Sequence, residues 1–338
     1  MIMYLNVAIL GFLLSVLIPY GFKREVGNIG AALWAYLIGN AVWVSYSAFY
    51  DPTTFIHPAL ENTVRESAKQ TLWLLLCVPI SMILLRNKFL PIIKTFLVLN
   101  ASSVLVFGYG AFNAGTFDAG VMAACLPLFM SRQYKKLNFI AGIFVLSAVI
   151  STRSATGALV LFIVLISYLS VWKSYLYAIG AALVSFGISF MLQGSELFND
   201  SGRIIAWKNY LEWFYNHANI LFGVGVSTFD AVGSFVDNGT GTIFVWAHND
   251  YLQLLFDGGV IGLLLGLCFY LSALIKVRTH PVLFSSIAGF GACALTYSPL
   301  HIVSSQVIIC YLLIKAEEYA KRLPSEGYRR DKKTIHLW

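Results

Sequence analysis

The feature that most constrains this chain is a succession of apolar stretches of membrane-spanning character, most of them joined by short polar turns. A helix crossing the hydrocarbon core needs about 20 predominantly apolar residues. Eleven such spans are read, at approximately 3–20, 28–49, 70–85, 89–107, 115–130, 137–151, 155–171, 174–192, 250–275, 281–298 and 302–316. Only 12% of the 338 residues are charged and 58% are hydrophobic, whereas soluble domains carry roughly 25% charge. A soluble core, a disordered tail and a disulfide-stapled secreted module are therefore excluded. What remains is an all-α polytopic integral membrane protein, one transmembrane domain over residues 1–338. The five cysteines (Cys77, Cys125, Cys268, Cys293, Cys310) all lie in apolar stretches, where they read as packing residues rather than a disulfide or metal framework. The first twenty residues lack a basic start and a cleavage site, and read as a retained span.

Charge sets the expected orientation. Of the 23 lysines and arginines, 18 fall on one set of loops, on the span edges beside them (Lys94, Lys315) and on the tail at 317–338, and 5 on the other set. Basic residues accumulate on the cytoplasmic side, so the C-terminus is expected there and, with eleven spans, the N-terminus outside. The net charge of +7 is then a topology signal. Nucleic acid is not an expected partner, because that would need the cations gathered on one folded face. No internal repeat is evident, nor any matched pair of interrupted spans of the kind that marks many transporters.

One external loop, residues 193–249, is far longer than a simple connection, and such loops are usually functional or disordered. Its richness in Trp, Phe, Tyr, Ile and Gly argues against disorder. Asp200 and Ser201 are good N-caps, and Ile204, Trp207, Leu211 and Phe214 recur at helical spacing. This predicts an amphipathic helix lying against the membrane domain; the plainer alternative is a helix that only caps the bundle. Gly223 and Gly225 in NILFGVGVSTFD permit a tight turn and close backbone approach, here to a bound substrate. The loop ends in WAHND, where the ninth span begins.

The five external cations are few, so each needs a reason. Arg153 sits in the turn STRSATG between two spans, where an arginine is costly unless it faces a cavity or an anion. Arg203 opens the amphipathic helix, a poor place for helix stability and a good one for a phosphate. Snorkelling to lipid headgroups is the plainer reading of both. His248 precedes Asn249 and Asp250 at the start of the ninth span, and an imidazole there can take a proton from a hydroxyl. No His/Asp/Glu set has metal-ligand spacing, and no nucleotide-binding loop is present.

STRSATGALV, SGRIIAW with LFGVGVSTF, and AHNDYLQLLFDGGVIGLLL together resemble the O-antigen ligase and O-antigen polymerase family over about residues 150–270. The last stretch is the most specific, with His248, Asn249, Asp250, Asp257, Gly259 and Gly262. GTFDAGVMAACLPL resembles an earlier family segment but lacks its Pro-Asn. Members commonly have about twelve spans with both ends in the cytoplasm, against the eleven read here. The resemblance implies a GT-C-like membrane glycosyltransferase of the bacterial inner membrane, working on the periplasmic face without metal or cofactor and with inversion. Its donor would be an oligosaccharide on undecaprenyl diphosphate, and its acceptor a sugar hydroxyl on a lipid-linked repeat (polymerase) or on the lipid A core (ligase). A polymerase is preferred because many surface polymers need one, and a chain-length regulator is the additional partner open to it.

Carried onto this chain, the resemblance implies His248 as general base and Arg203 and Arg153 as stabilisers of the departing diphosphate. Asn249 or Asp250 can orient the imidazole, and Trp207 can stack on a sugar face. Asp257, two helical turns below Asp250, is the weaker candidate. Two other classes compete. A lipid-linked oligosaccharide flippase would need charges along a central path, and the interior of the spans is nearly uncharged, with Lys94, Asp118 and Asp257 at most. A metal-dependent transferase would use Asp51, Glu61 and Glu66, which sit among Arg65 and Lys69 as solvated charges do.

Overall fold

The computed structural model describes residues 28–40 in most part, 89–108, 115–130, 135–171, 203–225, 247–297 and 303–322, with a few isolated residues besides. The spans expected at 3–20, 70–85 and 174–192, the acids of the first external loop, the caps Asp200 and Ser201, and the tail beyond 322 lie outside these residues. Among the described residues every element is a helix and none is a strand. These helices are α1 (Phe89–Phe107), α2 (Gly115–Cys125) with a 3-10 extension (Leu126–Met130), α3 (Lys135–Ser151), α4 (Ala155–Val171), α5 (Arg203–His217), α6 (Asp250–Val277), α7 (Pro281–Thr296) and α8 (Val303–Arg322). Two stretches, Leu90–Phe107 and Asp250–Val277, are long and apolar enough to cross a membrane; Asp118–Met130, α4 and α7 are shorter apolar helices.

The chain divides into two compact units, one of Met1–Val78 with Asp200–Leu271 and one of Pro79–Asn199 with Ser272–Trp338. In the second unit α4 and α7 pack along each other, with α2 against both. Small residues make the approach possible. A Cβ on Gly157 would stand 2.7 Å from Ala119 Cβ, and one on Gly289 would stand 2.6 Å from a Val164 methyl and 3.0 Å from Ala124 Cα. Membrane helices gain little from apolar burial against one another, so van der Waals contact between close backbones holds them. Two polar pairs lie inside this unit: Asn100 donates to Asp118 at 3.0 Å and Lys94 donates to Asn138 at 3.1 Å. Helix α8 runs past the expected span end at 316 to Arg322. It is tied back by the Lys276–Glu317 ion pair and a 3.0 Å bond between Thr279 and Tyr319.

In the first unit α5 buries Ala206, Tyr210 and Phe214 in one cluster with Phe229, Ala247 and Phe256. The rings of Phe214 and Phe256 lie 5.0 Å apart. This corrects part of the expected apolar stripe of α5: Phe214 is buried, but Ile204 is 64% exposed and Leu211 38%, whereas Tyr210 is 1% exposed. Both faces of α5 carry apolar side chains, so periodicity alone could not say which one meets protein. Leu33 and Leu37 pack with Tyr36 against Leu254, Leu265 and Phe269 of α6, and the Tyr36 hydroxyl donates to the Gly258 carbonyl at 2.6 Å.

Candidate active site

Helix α6 is interrupted at Gly259, whose φ of 63° and ψ of −164° are not helical. The break frees backbone groups that an unbroken helix would pair internally, and in a bilayer such groups must find partners. The segment 219–225 supplies them. Val224 N–H donates to Phe256 O at 2.8 Å and Gly225 N–H to Asp257 O at 3.1 Å, while Val260 and Ile261 N–H donate to Ile220 O and Leu221 O at 2.9 and 3.2 Å. Gly223 (φ 78°) bends this segment, and its own N–H donates to Asn219 O at 2.7 Å. The backbone N–H groups of Gly223 and Gly225, two of the expected substrate contacts, are thus committed within the protein, and the close approach they permit is to α6.

Above this break the chain enters α6 through Ala247, His248 and Asn249. His248 is half-buried, with its Nδ1 atom inside, and its φ is 51°. A non-glycine residue in the left-handed region costs of order 1–3 kcal/mol and persists only where its surroundings enforce it. Those surroundings are explicit. On one side, the Trp207 indole N–H donates to the Ala247 carbonyl at 2.7 Å, and the Ala247 N–H donates to Gln253 Oε1 at 3.0 Å. On the other, Asn249 caps α6: its Oδ1 accepts from Tyr251 N–H at 3.0 Å and Leu252 N–H at 3.1 Å. Asn249 is therefore an N-cap of the ordinary kind, and fixes His248 through the backbone. Asp250, 1% exposed, sits in the first turn of α6.

Arg203 is the first residue of α5, half-buried, and precedes Trp207 by one helical turn. Residues so spaced lie on one face, with Cβ atoms about 5–6 Å apart, so Arg203 neighbours the indole that touches the peptide before His248. Arg153 belongs to the other unit. It lies in the turn between α3 and α4, exposed, with φ 49°. Its N–H donates to Ile150 O at 3.1 Å, and Ser154 beside it caps α4 by accepting from Gly157 N–H at 3.1 Å. Arg153 borders an apolar cavity of about 870 Å³ between the 3-10 turn, α3 and α4, to which Lys135 and Lys136 contribute from the other end of α3. Among the described residues, only Arg153 and His248 are non-glycine residues with positive φ, and both stand out in the sequence as candidates for chemistry.

Residues 118–267 match the family model described as O-antigen ligase. The match covers 150 of the 338 residues and supports membership of the O-antigen ligase and polymerase family. All eight expected site residues fall inside the matched segment: Arg153, Arg203, Trp207, Gly223, Gly225, His248, Asn249 and Asp250. No curated protein matches the chain. This likeness supports a membrane protein of the O-antigen ligase/polymerase type. Sequence reasoning missed Gln253, which the structure ties to Ala247 and to Asp257 (Nε2 to Oδ1, 3.1 Å). The available signal was a lone carboxamide in the apolar run YLQLLF, since polar side chains in a span need partners.

Proposed function

We propose that this protein is an inverting, metal-independent polymerase of surface polysaccharide in the bacterial inner membrane, taking its donor glycan from undecaprenyl diphosphate on the periplasmic face. His248 takes the proton of the acceptor sugar hydroxyl as that oxygen attacks the anomeric carbon. The bond to the diphosphate breaks, and the diphosphate leaves with its charge matched by Arg203 and Arg153. A diphosphate is already a good leaving group, so the protein supplies position and charge. The basic tail lies in the cytoplasm, as the 18-to-5 division of cations supports.

The observation that carries this reading is the left-handed backbone of His248, pinned on both flanks by bonds to Ala247 and Asn249. Such strain at the mouth of a helix is a mark of a residue positioned for chemistry. The test uses purified protein in proteoliposomes with an undecaprenyl-diphosphate-linked oligosaccharide, resolved on a gel with and without lipid A core. A ladder from donor alone is the expected result. A shift that appears only with core makes the chain a ligase using the same residues, and glycan movement without any new glycosidic bond makes it a transporter.

A further inference from the structure

The geometry points to Gln253 as a positioning residue for His248, acting through the Ala247 peptide. Gln253 lies one turn into α6, is 2% exposed, and is engaged on both sides of the histidine. Its backbone N–H donates to the Asn249 carbonyl at 2.9 Å, just after His248. Its side-chain oxygen accepts from the Ala247 N–H at 3.0 Å, just before it. The far end of the same side chain donates to Asp257 Oδ1 at 3.1 Å, which fixes the amide so that its oxygen, not its nitrogen, faces Ala247. With the Trp207 indole on the Ala247 carbonyl at 2.7 Å, one polar group of each of the two peptides flanking Ala247 is held. Relaxing His248 out of its left-handed conformation by turning the Ala247–His248 peptide would break the indole bond or pull Ala247 off Gln253, in a buried setting where an unpaired peptide group is costly.

The inference rests on His248 being the base, and the experiment separates the two. Initial rates across donor concentration, with donor binding measured alongside, are compared for wild type, Gln253→Leu, the double variant Gln253→Glu with Asp257→Asn, and His248→Ala in liposomes. Leucine offers no acceptor to Ala247; glutamate keeps an oxygen there, and the Asp257→Asn amide donates to its second oxygen where a carboxylate would repel it. Displacing a catalytic group by about 1 Å can cost on the order of 100-fold. Gln253→Leu is therefore expected to lower kcat by roughly 10- to 100-fold, with KM and donor binding close to wild type, and the double variant to lose distinctly less. Should the leucine variant fail to accumulate, Gln253→Met, of similar length and without the amide, makes the same comparison. Wild-type kcat without the amide overturns the positioning role. So does a loss carried by donor binding, or a double variant no better than the leucine one. A fully active His248→Ala overturns the base reading instead, whatever Gln253 does.

Discussion

Gly223 and Gly259 meet backbone to backbone: a Cβ on Gly223 would lie 2.5 Å from the Gly259 nitrogen, and one on Gly259 would lie 2.6 Å from the Gly223 nitrogen. Both residues have positive φ. The pair is the hinge pin of the first unit's site, because it lets segment 219–225 fill the gap in α6 below His248. Neither position has room for a methyl group.

Alanine at Gly259 or Gly223 is therefore expected to destabilise the protein by more than the roughly 1–2 kcal/mol of left-handed backbone alone, since backbone atoms must also move. Thermal unfolding in detergent, with membrane yield, measures this. Gly39 is the control, a helical residue at which an added Cβ would meet nothing within 4 Å. Gly39→Ala should be neutral or gain about 0.5–1 kcal/mol.

His248→Ala should lower kcat by about 10²–10⁴-fold, the range of general-base catalysis, while the protein still folds and binds the lipid-linked donor. Product formation at the wild-type rate would remove His248 from the chemistry.

Arg203→Lys should also be damaging, by about tenfold or more in kcat/KM, because an ammonium cannot reproduce the planar fork of the guanidinium on a diphosphate. Full activity of purified Arg203→Lys would show that any positive charge suffices at the start of α5.

His280 gives the pH dependence. It caps α7, its Nδ1 accepting from Leu283 N–H at 3.3 Å, with the Tyr319 ring edge-on at 4.9 Å. Burial pushes its pKa down from 6.5 to about 4. The unfolded chain thus takes up a proton as pH falls through 6.5, while the folded protein resists until about 4. This contribution to stability is complete above 6.5 and is lost progressively from there to about 4. His280→Asn, which can still cap and does not titrate, should flatten the melting temperature over that window. An unchanged slope would assign the acid sensitivity to other groups.

Apolar patterning alone located most of the described helices. The readings at 89–107, 155–171 and 281–298 coincide with α1, α4 and α7 to within two residues, and the amphipathic segment is α5. An apolar run in lipid has only one common way to satisfy its backbone, so composition over about 20 residues is enough. The residues proposed for chemistry were also legible, because Arg153, Arg203 and His248 are polar groups that their sequence surroundings do not explain. Tertiary structure settled the rest. It turned α5 so that Tyr210 is inside and Ile204 outside, a choice periodicity could not make when lipid and protein are both apolar. It broke α6 at Gly259 and healed the break with segment 219–225. It brought Trp207 and Gln253 onto Ala247, the residue before His248. Each depends on groups pairing across the fold, most of them backbone groups, and a backbone group looks the same at every position of a sequence until the fold gives it a partner.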